Sequence, residues 1–162
     1  MMSNSIITFT HFRGHQPGLI FDMLIKSYAS YPALVTIEKE SWQEYDSSIF
    51  SNLDTIGKCG FVSYLEDKPI GFASWDPSNH PNFVIIGHNC ILPDYRERGF
   101  GRLQILEMLR RFKNMKFKKV KASTGSVSFF LPAQKMYLSC GFFETGRTLH
   151  KTISNFEIIV DI

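Results

Sequence analysis

The sequence of 162 residues has few of the features that would place it outside ordinary globular proteins. It contains no apolar run near the roughly 20 residues that a membrane-spanning helix requires, so no membrane partner is expected. Its three cysteines, Cys59, Cys90 and Cys140, are odd in number and lack metal-ligand spacing, which predicts neither a disulfide framework nor a metal site. With no signal sequence, they are expected to be reduced thiols in a cytoplasmic protein.

Charge of one sign is also scarce, because 18 Lys and Arg against 15 Asp and Glu give a net charge of +3. This mild excess suits an anionic ligand without requiring nucleic acid. The most basic segment, "RRFKNMKFKKVK" at 110–121, is accompanied by no recognised nucleic-acid-binding motif. We interpret it as the solvated end of a helix and an adjacent strand, and nucleic acid is not expected as a partner.

What the sequence does contain is the composition of a packed domain, with 44% hydrophobic and 14% aromatic residues. Its length suits one domain with a sizeable core. The apolar periodicity predicts the order β-α-α-β-β-β-α-β-α-β-β, an α/β fold with a mixed sheet flanked by helices. The third helix is expected at about 101–115, with Leu103, Leu106, Leu109 and Phe112 marking one apolar face.

The segment "ILPDYRERGFGRLQ", residues 91–104, joins a predicted strand to that helix. The first turn of a helix presents N–H groups without intrahelical acceptors and attracts anions. Gly99 and Gly101 allow an anion to approach the backbone, and Arg96, Arg98 and Arg102 add positive charge. The segment therefore favours a diphosphate over an ordinary tight turn.

Two familiar phosphate motifs are excluded at this segment. A P-loop requires Lys and then Ser or Thr after its last glycine, whereas Gly101 is followed by Arg102 and Leu103. The dinucleotide fingerprint requires a third glycine where this chain has Gln104.

The segment "PDYRERGFG", with Arg96-x-x-Gly99-x-Gly101, resembles the acyl-CoA pyrophosphate loop of the GNAT superfamily of N-acetyltransferases. About thirty residues later, "PAQKMYLSCGF" resembles a second helix of that family. In that helix a small residue is followed by a tyrosine, and the tyrosine is followed by Gly-Phe. The corresponding residues here are Ala133, Tyr137, Gly141 and Phe142. The order of predicted elements also matches this fold across nearly the whole chain.

The resemblance implies a single N-acetyltransferase domain over 1–162 that moves an acetyl group directly from acetyl-CoA to a primary amine in a ternary complex. It implies no metal, and an acceptor that is a small molecule rather than a protein; a homodimer is left open. The family bends the preceding strand at a bulge, so that backbone N–H groups bind the thioester oxygen. The implied cofactor-binding residues are Asn89, Cys90, Ile91, Arg96, Glu97, Arg98, Gly99, Phe100, Gly101 and Arg102.

Tyr137 is the predicted catalytic residue, as proton donor to the departing thiolate. A phenol with a pKa of about 10 can protonate a thiolate, and such a group contributes roughly 10²–10⁴-fold. By residue type alone, a core tyrosine with a satisfied hydroxyl is the alternative.

The general base is not identified by the sequence. His88 lies beside Asn89, but strand alternation places its side chain on the opposite face, so we interpret it as structural unless the strand is irregular. A chain of waters ending at Asp76, Glu40 or Glu44 is the alternative, although each is more typical of a solvated surface acid.

One residue departs from the family pattern. Many members have an asparagine three residues before the small residue, and it contacts the pantetheine arm; here the position is Phe130. Ser123, Thr124 or Ser126 can supply a hydroxyl in its place.

The acceptor is not identified either. A polyamine would favour several carboxylates, and the second helical region offers Glu38, Glu40, Glu44 and Asp46. An amino acid, an antibiotic or a protein N-terminus is the alternative. A non-catalytic acyl-CoA-binding sensor would keep the glycine loop without requiring Tyr137.

Overall fold

The computed structural model describes residues 6–147 and 153–159. They form a mixed α/β fold, in which a mixed sheet is flanked by four helices. The strands are β1 (Ile7–Thr10), β2 (Gly60–Leu65), β3 (Lys68–Asp76), β4 (Val84–Ile86), β5 (Cys90–Ile91), β6 (Lys119–Gly125), β7 (Phe143–Arg147) and β8 (Ile153–Ile159). The helices are α1 (Leu19–Ser27), α2 (Pro32–Ser51), α3 (Phe100–Asn114) and α4 (Leu131–Ser139). The predicted order is confirmed, with the short strand β5 in addition.

The described residues fall into two compact units, and β3 contributes to both. The first unit contains the described residues up to Ser74 together with Asn89–Arg98. In it, β1 pairs with β2, β2 with β3 and β3 with β5, all antiparallel. Apolar residues of α1 and α2, among them Leu24 and Trp42, pack with Val62 and Phe72 of the strands in one buried cluster.

The second unit contains Trp75–His88 and the described residues from Gly99 onward. The end of β3 pairs with β4, β4 with β6, β6 with β8 and β8 with β7. Only the β4–β6 pair is parallel among the described strands, as expected for strands joined through the helix α3. The ring of Trp75 packs edge-on against Phe112 of α3, with centroids 5.2 Å apart.

The buried face of α3 differs from the predicted apolar face. Leu103 is 40% exposed, and the buried positions are Phe100, Gln104, Ile105, Met108 and Phe112. The predicted residues recur every three positions, and such a row winds around a helix of 3.6 residues per turn. The observed set is dominated by steps of four, which keep to one face, and it includes the polar Gln104.

None of the helices within residues 6–147 combines the length and the apolar character needed to traverse a membrane. The predicted C-terminal strand lies at Ile153–Ile159, and its last predicted residues, 160–162, fall outside the described residues.

Candidate active site

The strand that precedes the glycine loop is interrupted, which gives β4 and β5. Trp75 pairs with Ile86 in β4, and Phe72 pairs with Cys90 in β5. Between these pairs β3 has two residues, 73 and 74, whereas the other strand has three, 87–89. One extra residue on one strand is the defining feature of a β-bulge. The expected irregularity is therefore present within residues 87–89, which include Asn89, the first of the predicted oxygen-binding residues.

Cys90 lies in the buried part of the first unit. It is 8% exposed, and burial raises the pKa of its thiol to about 11, an effect that the nearby Ser27 hydroxyl partly offsets. The thiol is therefore protonated near neutral pH and is a poor nucleophile. This supports a backbone role for Cys90 and leaves its contact with the cofactor a prediction, as for Asn89 and Ile91.

Arg96 makes structural contacts within the first unit. Its Nε donates to the carbonyl oxygen of Ile91 at 3.0 Å, and a terminal guanidinium nitrogen donates to the carbonyl oxygen of Ser27 at 2.5 Å. The side chain thus links the end of β5 to the last residue of α1. Its predicted interaction with the diphosphate remains a prediction, to which the structure adds this second role.

The loop after Arg96 has an unusual backbone. Glu97 and Gly99 both have positive φ, 60° and 85°, in the left-handed region that favours glycine. A non-glycine residue with such a φ is uncommon and is found preferentially at functional sites. A Cβ added at Gly99 would meet no heavy atom within 4 Å, so the space in front of this glycine is open.

Gly99 is also the N-cap of α3, whose first turn has no side-chain cap from this position. Phe100 is 7% exposed and anchors this end of the helix in the second unit. Arg98 and Arg102 are exposed on either side of Gly99, and Gly101 is partly buried. An open approach to a helix N-terminus, flanked by two arginines, fits the charge and bulk of a diphosphate.

Tyr137 is buried in the second unit at 3% exposure. Its ring contacts Phe142, with centroids 5.2 Å apart, and stacks on Phe156, with centroids 5.8 Å apart. Gly141 follows α4 with a φ of 96°, which lets the N–H of Phe142 donate to the carbonyl oxygen of Tyr137 at 3.1 Å. Tyr137 and the Gly141–Phe142 end of the second motif are therefore in direct contact. Proton donation by Tyr137 stays a prediction.

No general base stands out among the described residues. His88 lies within the irregular segment, so the alternation that assigned its side chain to one face does not apply there. Hydrogen bonds from Ser78 lower the pKa of Asp76, which makes this exposed carboxylate a weaker base. Glu40 and Glu44 are exposed on α2. Residues 6–147 and 153–159 contain no group of His, Cys, Asp or Glu arranged to hold a metal ion.

Phe130 packs against the end of β6 in the second unit. A Cβ on Gly125 would lie 2.5 Å from its ring, so this close approach requires glycine. The side-chain amide of Gln134 donates to the carbonyl oxygen of Gly125 at 3.0 Å. Among the predicted hydroxyl donors, Thr124 bonds the same oxygen at 3.0 Å. Gln134 is thus a polar side chain near Phe130, the position where many family members have an asparagine. The sequence pattern did not indicate it.

The fold is similar to that of solved structures at low sequence identity. A GNAT-family protein from Desulfovibrio desulfuricans is 14% identical, with 96% of this chain and 100% of that chain covered and a TM-score of 0.77. An acetyltransferase from Bacillus subtilis, solved in complex with CoA, is 14% identical, with 98% and 100% covered and a TM-score of 0.65. The protein yncA from Salmonella typhimurium, solved with acetyl-CoA, is 11% identical, with 96% and 94% covered and a TM-score of 0.67.

The search of curated proteins found no match to this sequence. The sequence profile of the acetyltransferase (GNAT) family, in contrast, matches residues 21–142, which include both motifs and the interrupted strand. The chain therefore belongs to the GNAT family of acetyltransferases.

Proposed function

We propose that this chain is an acetyl-CoA-dependent N-acetyltransferase, and that residues 1–162 act as one catalytic domain. The observation that carries the proposal is the open, left-handed Gly99 at the N-terminus of α3, between Arg98 and Arg102. The open position is one that a Cβ would fill, and the exposed arginines match an anionic coenzyme. Two structures of similar fold contain CoA or acetyl-CoA, which supports the same ligand here.

The proposed residue roles follow from the chemistry of acyl transfer. The amine nitrogen of the acceptor forms a bond to the acetyl carbon while the carbon–sulfur bond breaks. The amine loses a proton to solvent, and Tyr137 supplies one to the departing sulfur and regains one from solvent before the next turnover. Backbone N–H groups at Asn89, Cys90 and Ile91 stabilise the negative charge that develops on the thioester oxygen. Residues Arg96 to Arg102 bind the diphosphate.

The proposal is tested by thermal unfolding of the chain with and without acetyl-CoA. A ligand that binds only the folded state, at a hundred times its Kd, adds about 2.7 kcal/mol, which is a rise of roughly 5–10 °C in Tm for a domain of this size. The dephospho and desulfo analogues of the coenzyme serve as controls. Saturating acetyl-CoA that left the Tm unchanged would exclude the proposed function.

Gly99→Val locates the binding site. The branched side chain would occupy the open space at Gly99, so the shift with acetyl-CoA is expected to disappear. Gly14→Val is the matched control, because Gly14 has a φ of 94° and likewise has no heavy atom within 4 Å of an added Cβ. It imposes similar backbone strain and is expected to keep the shift. Equal shifts in the two variants would show that the coenzyme does not bind at the loop.

The non-catalytic sensor is distinguished by turnover. A sensor would give the same shift with acetyl-CoA but would release no CoA when amines are added. An acetyltransferase releases CoA in proportion to the acetylated amine.

A further inference from the structure

The register of β5 decides which of its backbone groups face away from β3. The N–H of Leu92 donates to the carbonyl oxygen of Ile70 at 2.7 Å, just beyond the pair of Ile91 with Gly71. In an antiparallel pair, alternate residues turn both their N–H and their C=O toward the partner strand. The backbone groups of Leu92 and Cys90 therefore face β3. Between the two residues of β5, it is thus Ile91 that presents its N–H away from β3.

This outward edge of Ile91 carries two groups of opposite character, because the N–H and the C=O of one strand residue point to the same side. The N–H can donate to an oxygen atom, whereas the carbonyl oxygen repels one. During acyl transfer, negative charge develops on the thioester oxygen and is stabilised by fixed donors. The edge of Ile91 therefore suits this charge only if another group covers the carbonyl oxygen.

The side chain of Arg96 covers this carbonyl oxygen. Its Nε donates to the oxygen of Ile91 at 3.0 Å, while a terminal guanidinium nitrogen donates to the carbonyl oxygen of Ser27 at 2.5 Å. Hydrogen bonds from a charged donor are stronger than those between neutral groups. The Ile91 carbonyl is thus satisfied, and the positive charge of the guanidinium lies at the edge toward which the Ile91 N–H points.

The bond to Ser27 holds the guanidinium in this position. Ser27 is the last residue of α1, and the last carbonyl groups of a helix have no intrahelical donor. They also form the negative end of the helix dipole, which favours a cation. Arg96 is exposed overall, so these two bonds, and not burial, fix the direction of its side chain. The planar guanidinium reaches both carbonyl oxygens through different nitrogens, which the single ammonium of a lysine does not reproduce.

We propose that the side chain of Arg96 is a positioning residue for acyl transfer, which covers the Ile91 carbonyl so that Ile91 offers its N–H, and not its oxygen, to the thioester oxygen. The inference rests on the proposed function and deepens it, because it separates Arg96 from Arg98 and Arg102, whose charges are proposed for the diphosphate. The side chain of Arg96 acts through Ile91, and its contribution to the diphosphate loop is then that of its backbone.

The test compares two coenzymes that differ at the thioester oxygen. Acetyl-CoA carries this oxygen, whereas the thioether S-ethyl-CoA has a methylene group in place of the carbonyl and keeps the diphosphate. The Kd of each is measured by titration calorimetry on the full chain without an amine. The wild type is expected to bind acetyl-CoA roughly three- to tenfold more tightly, as one net hydrogen bond gives. In isotope-labelled protein, the Ile91 amide proton is expected to move downfield with acetyl-CoA and not with S-ethyl-CoA.

Arg96→Lys tests the side chain while keeping its positive charge. Because the ammonium does not bridge the two carbonyl oxygens, the preference for acetyl-CoA is expected to fall below about twofold, while the Kd for S-ethyl-CoA changes by less than about twofold. Arg110→Lys is the matched control, since Arg110 also donates from Nε and a terminal nitrogen, in its case to the Glu107 carboxylate. The control is expected to keep both Kd values and the shift of the Ile91 amide.

The wild type can overturn the inference without any variant, because equal Kd values and equal Ile91 shifts would show that Ile91 does not meet the thioester oxygen. Arg96→Lys overturns it by keeping the preference for acetyl-CoA. It also overturns it by weakening both coenzymes equally, which would place the side chain on the diphosphate. In each of these cases the wild type still binds acetyl-CoA, and the proposed function stands. A wild type that binds neither coenzyme would reject the proposed function together with this inference.

Discussion

Among single residues, Arg96 shows that a sequence motif predicts only part of what its residues do in the structure. The sequence pattern identifies this arginine as the first residue of the loop motif. In the structure its guanidinium donates hydrogen bonds to the carbonyl oxygens of Ile91 and Ser27. The Ser27 carbonyl is available because α1 ends there, and no spacing within the motif encodes that end. The position of the loop between β5 and α3 was therefore predictable from the sequence. The hydrogen-bond partner of the Arg96 side chain was not, because it lies at the end of a helix nearly seventy residues earlier.

Tyr137 is the residue whose predicted role is tested most directly. Tyr137→Phe removes only the hydroxyl and keeps the ring packed on Phe142 and Phe156. If the phenol protonates the departing thiolate, kcat is expected to fall by roughly 10²-fold or more. The Tm shift with acetyl-CoA is expected to remain, because the ring still fills its place. Steady-state kinetics with the best available amine, together with thermal unfolding, measure both quantities.

Tyr64→Phe is a control for the loss of a tyrosine hydroxyl. The Tyr64 hydroxyl lies 2.8 Å from Nε2 of His15 in the first unit, remote in sequence from both motifs. This variant is expected to keep its turnover. Wild-type kcat in Tyr137→Phe would remove Tyr137 from the acid role and leave it as the core tyrosine of the alternative.

Among the elements, α1 depends on a carboxylate from another helix. Its N-cap, Gly18, has a φ of 99° and no side chain to bond the first-turn N–H groups. The Asp46 carboxylate of α2 accepts hydrogen bonds from the N–H groups of Gly18 at 2.9 Å and Phe21 at 3.0 Å. Asp46 is 4% exposed, and its carboxylate is thus engaged as the cap of α1, a role that its inclusion among the carboxylates for a polyamine did not anticipate.

Asp46→Ala is expected to lower the free energy of unfolding by roughly 2–4 kcal/mol, because it leaves two partly buried N–H groups at the start of α1 without their acceptor. Asp22→Ala is the control: this carboxylate, also in the first turns of α1, is exposed and pairs with Lys26 at 2.8 Å. Such exposed pairs contribute about 0–1 kcal/mol. Urea unfolding measures both variants, and equal losses of stability would show that the Asp46 bonds do not hold the helix.

The sequence predicted the elements better than their packing. Apolar periodicity indicated the order of helices and strands, because each element has to bury one face. It did not show that α2 begins at Pro32, or that Gln104 lies on the buried face of α3. The charged pair of Lys121 and Glu157 also escaped prediction, because these residues meet only through the pairing of β6 with β8. Local patterns do not encode such long-range register.

For the whole molecule, the response to alkaline pH includes two acidic groups of the first unit, the buried Cys90 thiol and the partly buried Tyr45 phenol. Burial raises the pKa of Cys90 from 9.0 to about 11, and that of Tyr45 from 10.0 to about 12. In the folded chain both groups keep their protons at a pH where the unfolded chain loses them. Their contribution to stability is therefore complete below about pH 9 and is lost as the pH rises through these folded-state values.

The free energy of unfolding is accordingly expected to fall between about pH 9 and pH 11, with each group contributing roughly 1–2 kcal/mol to the decrease. Lysines titrate in the same pH range. The test therefore compares how the free energy of unfolding changes with pH in each variant and in the wild type. Urea unfolding of Cys90→Ala and Tyr45→Phe is expected to give flatter pH profiles than the wild type, with the cysteine effect beginning about one pH unit lower. Both variants lose some stability at pH 8 through packing, but only the change with pH reports the ionisation. Parallel profiles in all three proteins would mean that neither group is held protonated by the fold.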